Sequence, residues 1–376
     1  MGGRFKLAIR DVTISDLLRR EPAELDFDAI RGEISGRTIL VTGAAGSIGS
    51  ELCRQIIQLN PAKIILLDQS ETGLFYVQQE LIQANWESDS EYVIADVVNE
   101  GAIRKVLSKH KPQIIFHAAA YKHVPLMEDH PQEAIRNNIM GTRNLADLAS
   151  EYDVESFVLI STDKAVRPTS VMGSTKLVSE IYLQAKSTIS KTRFLTVRFG
   201  NVLNSAGSVV PTFRKQIEEG GPVRVTHPDM ERFFMTIPEA VQLVLQAETI
   251  GSSGDILILD MGEQIKIVDL AKDMITLSGL NYPEDIDIEF TGIRPGEKLY
   301  EELLYDSEKN ATKVHDKLFC ATRQEVITME MVSKNFKILE TCINGEAETV
   351  KKTLAQIVAQ YVELELSANE KMKSAA

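Results

Sequence analysis

The chain contains 376 residues, of which 25% are charged and 44% hydrophobic, and its formal net charge is −13. This balance is typical of a globular protein and argues against a broad nucleic-acid surface, so we expect no nucleic-acid partner. No stretch approaches the roughly 20 apolar residues of a membrane span, and the first residues lack the apolar core of a signal peptide, so we expect a cytoplasmic chain without a membrane segment.

The predicted elements of the first half alternate between short apolar strands and helices. Strands are expected at 38–42, 63–68, 92–94, 114–117 and 157–160, and helices at 47–59, 71–86, 102–108, 131–152 and 171–190. This alternation predicts an α/β fold of the Rossmann type, in which helices cover both faces of a doubly wound parallel sheet.

Beyond Phe199 the regular alternation ends, which predicts a smaller C-terminal lobe. We divide the chain into an N-terminal arm (1–35), a Rossmann domain (36–205, to which 234–262 returns), a second lobe (206–332) and a helical tail (333–376). A chain of this length is long for a single compact core, which agrees with two lobes.

A glycine-rich turn lies between the first predicted strand and the first helix. Glycines at this point let the backbone approach a pyrophosphate, whose charge then lies at the amides of the helix N-terminus. The alternative is a tight strand–helix turn without a ligand, but the context favours a dinucleotide. The predicted contacts are Gly43, Gly46, Ser47, Ile48 and Gly49.

Small or acidic residues follow the next three strands. Asp68 ends the second strand, where a carboxylate accepts from the adenosine ribose hydroxyls and repels a 2′-phosphate, so NAD is favoured. Asp96 and Val97 are expected near the adenine, and Ala118, Ala119 and Ala120 near the passing cofactor backbone. NAD is the cofactor expected. The 3 cysteines lack the spacing of a metal or redox site, so no metal is expected.

Five segments together carry a family resemblance. They read TGAAGSIGSELCRQI, HAAAYKHVPLMEDHPQEAIRNNIMGT, STDKAVRPTSVMGSTK, RFGNVLNSAGSVVPTF and GIRPGEKLYEELL. With them the chain resembles the extended short-chain dehydrogenases/reductases, and in particular the CapD-like bacterial 4,6-dehydratases that act on UDP-N-acetylglucosamine in polysaccharide biosynthesis. The larger members of that family carry membrane helices ahead of such a region, so the alternative to a cytoplasmic chain is the cytosolic part of an inner-membrane protein.

The resemblance implies catalytic roles within residues 161–176. Asp163 is expected to act as the acid and Lys164 as the base of an elimination, and Thr162 to orient the sugar hydroxyl. Met172 stands one helical turn before Lys176, where most short-chain enzymes have a tyrosine. Methionine cannot accept a proton, so the group that takes the O4 proton stays open, while Lys176 is expected to bind the nicotinamide ribose.

The resemblance also implies a UDP-sugar substrate held by residues of both lobes. Arginine and lysine side chains and helix N-terminal amides suit its diphosphate. The expected contacts are Lys122, His123, Asn201, Ser208, Val209, Val225, Thr226, Arg232, Arg294, Glu297 and Lys298. The helices at 131–152 and 171–190 resemble dimerisation helices, which predicts a homodimer or a higher homo-oligomer.

Two other functions are compatible with the same fold. A UDP-sugar 4-epimerase would return the hydride to C4 and would need no acid–base pair for elimination, so the Asp163–Lys164 pair weighs against it. A non-catalytic NAD-binding sensor is suggested by the missing tyrosine, and the presence of Thr162, Asp163, Lys164 and Lys176 together weighs against that.

Overall fold

The computed structural model describes residues 25–84, 89–305, 308, 311–321 and 327–375. Residues 1–24 of the predicted arm lie outside this range, as do residues 85 and 86 of the helix predicted at 71–86. The strands are β1 (Thr38–Thr42), β2 (Lys63–Asp68), β3 (Ser90–Ile94), β4 (Ile114–His117), β5 (Ser156–Ile160), β6 (Arg193–Arg198), β7 (Asn201–Val202), β8 (Val223–Val225), β9 (Glu231–Arg232), β10 (Phe234–Met235), β11 (Ile256–Leu259), β12 (Ile265–Lys266), β13 (Ile288–Phe290), β14 (Thr312–His315) and β15 (Leu318–Ala321).

One nine-stranded sheet organises the described chain. Its strand order is β14-β15-β11-β6-β5-β4-β1-β2-β3, and the run from β11 to β3 is parallel. The order reverses at β1, which pairs with β2 on one side and β4 on the other, so a crevice opens beyond the carboxyl ends of these strands. The predicted fold class, a doubly wound Rossmann-type sheet, is confirmed.

Helices cover both faces of this sheet and bury two apolar clusters against it. Several begin at a polar side chain that accepts a hydrogen bond from a first-turn amide, as Ser170 does from Gly173. No helix in the described part of the chain is both long and apolar enough to cross a membrane. The helices span Phe27–Ile34, Ser47–Ile57, Glu71–Gln83, Glu100–His110, Val124–Asp129, Pro131–Ala134, Gly141–Glu151, Val171–Ser187, Val209–Glu218, Ile237–Ile250, Ile267–Leu277, Met329–Cys342 and Ala347–Ala375.

The smaller lobe has its own apolar core, built from the helices Val209–Glu218 and Ile267–Leu277 and the strand pair β8–β13. The sequence assigned all of residues 206–332, apart from the returning segment 234–262, to this lobe. The structure differs at β14 and β15, which extend the large sheet, because β15 pairs antiparallel with β11. This pairing covers a strand edge that β11 would otherwise expose.

The tail packs on the body of the protein, and its first helix begins at Met329, slightly before the predicted boundary. The helices Met329–Cys342 and Ala347–Ala375 cover the Val171–Ser187 helix, and the rings of Tyr182 and Phe336 lie 4.8 Å apart. Much of the surface that the resemblance assigned to a dimer partner at this helix is therefore covered within the chain. The oligomeric state stays a prediction.

Candidate active site

The glycine turn lies directly after β1 and cannot carry larger side chains. Gly43 has φ of +70°, and a Cβ there would stand 2.5 Å from the backbone nitrogen of Ala119. A Cβ on Gly49 would stand 2.0 Å from the carbonyl oxygen of Gly43. The turn, the start of the Ser47–Ile57 helix and the end of β4 therefore approach one another closely, as a cradle for a pyrophosphate requires.

Acidic residues end β2 and follow β3 at the rim of the same pocket. The Asp68 carboxylate accepts from the amides of Ala45 (3.0 Å) and Ser70 (2.9 Å), so the glycine turn fixes its orientation. Asp96 accepts from the amide of Val98, and Val97 is buried next to it. The pocket wall contains these predicted residues together with Gly43, Gly46, Ala118, Ala119 and Ala120.

A π-helical turn, Ile135–Met140, contributes Asn137 to this wall and places Asn138 behind it, and the sequence singled out neither residue. Asn138 holds both backbone groups of Tyr121: its Oδ1 accepts from the amide (2.8 Å) and its Nδ2 donates to the carbonyl (3.0 Å). Asn137 donates to Asn138 and lines the pocket. π-Helical turns are common at functional sites, but this one could not be predicted from the periodicity of the sequence.

A buried histidine links the strands at the crevice. His117 contacts Thr42 through Nδ1 (2.7 Å) and Thr142 through Nε2 (2.9 Å). Burial, with a smaller contribution from Lys176, lowers the pKa of His117 to about 3, so the ring is neutral at physiological pH. This network fixes the floor of the crevice, and the sequence showed His117 only as the last residue of a strand.

The predicted acid–base pair lies in a 3₁₀ turn, Asp163–Ala165, just beyond β5. Asp163 is 0% exposed, and its Oδ1 accepts from Thr162 Oγ1 (2.8 Å) and from Lys164 Nζ (2.9 Å). Its Oδ2 is buried and has no hydrogen-bond partner among the described residues. The structure thus brings three of the five predicted catalytic residues, Thr162, Asp163 and Lys164, into one chain of hydrogen bonds.

Met172 and Lys176 are both buried on the Val171–Ser187 helix. Met172 is 4% exposed and belongs to the apolar cluster on one face of the sheet. Burial lowers the pKa of Lys176 to about 8, against a smaller opposing contribution from Glu180. Gly173 allows the helix to approach the catalytic turn, because a Cβ there would stand 2.2 Å from the carbonyl oxygen of Lys164.

Lys164 is the centre of a cluster that spans three distant segments of the chain. Its Nζ donates to Asn201 Oδ1 (3.0 Å) as well as to Asp163, and it lies 3.8 Å from Glu301 Oε1. Glu301 is 4% exposed, and burial, the largest influence on it, raises its pKa. We call Lys164, Asp163, Asn201 and Glu301 the Lys164 cluster. Sequence reasoning gave Glu301 no role, although it lies within the recognised segment GIRPGEKLYEELL.

The predicted phosphate-binding cations have different surroundings. Arg232 is buried and its two Nη atoms donate to the backbone carbonyls of Glu231, Lys298 and Leu299, so it holds the 298–299 segment. Lys298 donates to the carbonyl of Val166, and burial lowers its pKa. Both line a second pocket together with Lys164, Asn201, Glu297 and Glu301.

Three other predicted substrate contacts, Arg294, Lys122 and His123, are not among the residues that line this pocket. Arg294 is 57% exposed and 3.9 Å from Glu297, whose Oε2 is buried without a hydrogen-bond partner in the described chain. Burial lowers the pKa of Lys122, and it lowers that of His123 together with the charge of Lys122. The His123 ring faces Gly207, where a Cβ would stand 2.6 Å from Cε1.

The last predicted contacts lie on the smaller lobe. Ser208 precedes the Val209–Glu218 helix, and its side chain caps none of the first-turn amides. The carbonyl of Val225 accepts from the amide of Thr291 (2.9 Å), and Thr226 Oγ1 contacts the sulfur of Met230. The amide of Ala206 donates to Ser47 Oγ (3.1 Å), which joins the lobe to the glycine turn.

Comparison with known proteins identifies the family. A family model described as polysaccharide biosynthesis protein matches residues 39–323. The chain belongs to this family. The capsular polysaccharide biosynthesis protein CapD of Staphylococcus aureus is 54% identical over 314 residues, or 83% of this chain and 52% of CapD, so the chain spans about half the length of that relative. A UDP-glucose 4-epimerase of Rickettsia canadensis is 34% identical over 287 residues, 74% of this chain and 80% of the epimerase.

A solved structure supports the same assignment. The X-ray structure of Pen from Bacillus thuringiensis aligns with a TM-score of 0.71 at 33% identity, covering 78% of this chain and 90% of Pen. The resemblance to CapD-like proteins of polysaccharide biosynthesis, drawn from five motifs, is therefore confirmed at the level of the family.

Proposed function

We propose that this protein is an NAD-dependent 4,6-dehydratase of UDP-N-acetylglucosamine that supplies a 6-deoxy-4-keto sugar nucleotide to polysaccharide biosynthesis. The observation that carries the proposal is the hydrogen-bonded series Thr162–Asp163–Lys164 at the carboxyl end of β5. It offers one group that can give a proton and one that can take it, side by side, which an elimination requires and a simple hydride exchange does not.

The residues present fit NAD. The cradle formed by Gly43, Gly49 and Ala119 excludes any Cβ, and Asp68 stands where a ribose would lie. Lys176 would hold the nicotinamide ribose, while the Asn138 amide is already engaged by the Tyr121 backbone and supports the segment that follows β4. When bound, NAD supplies a hydride acceptor for C4 of the hexose, which makes the neighbouring C5–H acidic enough to leave.

Thr162 and Asp163 would handle the proton of the C4 hydroxyl. Thr162 accepts a hydrogen bond from that hydroxyl while donating its own hydrogen to Asp163 Oδ1, so a proton can pass to the carboxylate without methionine taking part. Protonated Asp163 then donates to the departing C6 oxygen, which leaves as water. Asp163 thus returns to its starting state within one turnover.

Lys164 would act on C5. As a neutral amine it takes the C5 proton during elimination, and as an ammonium it returns a proton to C5 when the double bond is reduced. Asn201 accepts from Lys164 and so holds the amine toward the pocket that it lines. A lysine in this position needs a route by which it loses its resting proton.

A 4-epimerase is the second candidate, and the 34% identity to a UDP-glucose 4-epimerase favours it. To separate the two, purified protein is incubated with NAD and UDP-N-acetylglucosamine, and the sugar nucleotides are examined by mass spectrometry. A product lighter by one water supports the dehydratase. A product of unchanged mass with inverted C4 identifies an epimerase, and no product at all overturns both.

A further inference from the structure

Glu301 is the least explained buried charge near the proposed site. It follows the loop that leaves β13, its side chain is 3% exposed, and its backbone carbonyl accepts from Gln264 Nε2 (3.0 Å). Its Oε1 lies 3.8 Å from Lys164 Nζ and 3.9 Å from Arg232 Nε, while its Oε2 is buried with no hydrogen-bond partner among the described residues. A buried carboxylate with an unmatched oxygen is costly unless it carries a proton or exchanges one.

The neighbouring glutamate shows that this placement is specific. Glu302 is 44% exposed and forms a direct ion pair with Arg167 at 2.6 Å. Glu301 instead points toward the catalytic turn, and its Oε1 lies 3.8 Å from Lys164 Nζ, slightly beyond hydrogen-bond distance. One of two adjacent carboxylates therefore serves a surface ion pair, and the other faces the proposed base.

We propose that Glu301 exchanges a proton with Lys164 and so allows the lysine to act as a neutral base; this inference rests on the proposed function. In the exchange one Nζ–H bond of the Lys164 ammonium breaks and an Oε1–H bond forms on Glu301. The ion pair becomes a neutral amine and a neutral carboxylic acid, so charge and protons balance without any further reactant. Glu301 acts through Lys164 and is a positioning residue in this sense.

The surroundings of Glu301 contain groups that favour its neutral form and groups that favour its charged form. The charged groups that face it are Lys164 and Asp163 from the catalytic turn, Arg232 from β9 and Lys298 from its own loop. Burial and Asp163 favour the neutral acid, whereas the three cations favour the carboxylate. These influences oppose one another at one carboxyl group, and because burial is the largest of them, the pKa of Glu301 is raised.

The test compares Glu301→Gln with the matched surface control Glu302→Gln, using NAD and UDP-N-acetylglucosamine over a range of pH. We expect Glu301→Gln to lower kcat about 10- to 100-fold at neutral pH, with little change in KM. Without the carboxylate, Lys164 loses its proton only to solvent, so the acid limb of the profile moves to higher pH and activity partly recovers in alkaline buffer. Glu301→Asp should recover part of the rate, and Glu302→Gln should behave as the wild type.

A wild-type rate and profile in Glu301→Gln overturns the proposal. An equal loss at every pH overturns it as well, because it indicates that Glu301 only shapes the site. A second measurement does not depend on turnover: the ¹³C signal of the Glu301 carboxyl, assigned by its loss in Glu301→Gln, is titrated in the wild type and in Lys164→Met. Its midpoint should rise in Lys164→Met, and an unchanged midpoint contradicts the proposed exchange. If wild-type protein releases no water from the sugar nucleotide, the proposed function fails while this titration still decides the coupling.

Discussion

Two buried clusters of charge lie beside β5 and β6, and they differ in how completely they are paired. In the first, which we call the Arg198 cluster, Arg198 is 0% exposed and donates to Glu180 Oε2 (2.6 Å) and to Glu308 Oε2 (2.7 Å). Ser161 Oγ also donates to Glu180. In the Lys164 cluster, the lysine forms one close ion pair with Asp163, and the Glu301 carboxylate lies 3.8 Å from its Nζ. The lysine side chain is 19% exposed.

The difference follows from the chemistry of the two cations. An arginine side chain can donate to carboxylates through two parallel N–H groups and stays charged. Burial alone would lower the pKa of Arg198, but Glu180 and Glu308 together outweigh burial and raise it. An ammonium can lose its proton when it is desolvated. We therefore interpret the Arg198 cluster as a permanent structural link and the Lys164 cluster as a group that moves protons.

The largest effect is expected when the Lys164 cluster loses its acid or its base. Lys164→Ala or Asp163→Asn should lower turnover about 10²- to 10⁴-fold, because general acid–base catalysis contributes roughly that much. Bound NAD should remain, since neither side chain lines the glycine cradle. Turnover with UDP-N-acetylglucosamine and NAD content after gel filtration check this, with exposed Lys215→Ala as the control. A near wild-type rate in either variant would contradict the catalytic role proposed for the substituted residue.

Removing the cation of the Arg198 cluster should lower the free energy of unfolding and should not change the chemical step of the reaction. Arg198→Met leaves two carboxylates buried without their cation and should cost about 3–5 kcal/mol of unfolding free energy. Lys164→Met should cost less than Arg198→Met, because the lysine side chain is 19% exposed and opens to a pocket, although this change also leaves the buried Asp163 carboxylate without its cation. Urea unfolding at neutral pH measures both. Equal losses in the two variants would contradict the distinction between the clusters.

The cofactor cradle contains no buried ion pair among its described residues. A change there should affect NAD binding, and neither proton transfer nor the pairing of buried charges. Gly43→Ala should weaken NAD binding about tenfold or more, because the new Cβ meets the Ala119 backbone and overpacking costs about 1–3 kcal/mol. Gly36→Ala is the matched control: its φ is +71°, but no atom lies within 4 Å of the added Cβ. Calorimetric titration with NAD compares them. Equal affinity in both variants would mean that the close approach at Gly43 is not needed.

The smallest effect is expected at Met172. Met172→Leu keeps the volume of a side chain in the apolar cluster, so it should cost less than about 1.5 kcal/mol and keep most of the turnover. Activity and urea unfolding test this together. A large loss of turnover with normal stability would show that the thioether itself takes part in the chemistry.

The sequence predicted those parts of the fold and site that depend on local patterns. The glycine turn, Asp68 at the end of β2 and the Thr162–Lys164 turn after β5 lie at strand ends, and strand ends of a parallel sheet converge at one edge. These positions could be predicted from the order of strands and helices along the chain alone. The same reasoning gave the Rossmann-type class.

The remaining features depend on contacts between distant segments. Glu301 reaches Lys164 only because the loop after β13 folds back over the catalytic turn, and nothing in its local sequence marks which of two adjacent glutamates turns inward. The pairing of β15 with β11 depends likewise on long-range packing. The contact of Asn138 with the Tyr121 backbone was missed because a π-helical turn changes the direction in which its side chains point.

The most direct test of the account runs the reaction in D₂O and examines the sugar nucleotide by mass spectrometry and NMR. If the Lys164 cluster exchanges protons with solvent and with C5, the product of UDP-N-acetylglucosamine lacks one water and carries deuterium at C5. A dehydrated product without deuterium at C5, or a product that has kept all its oxygens, would contradict the account.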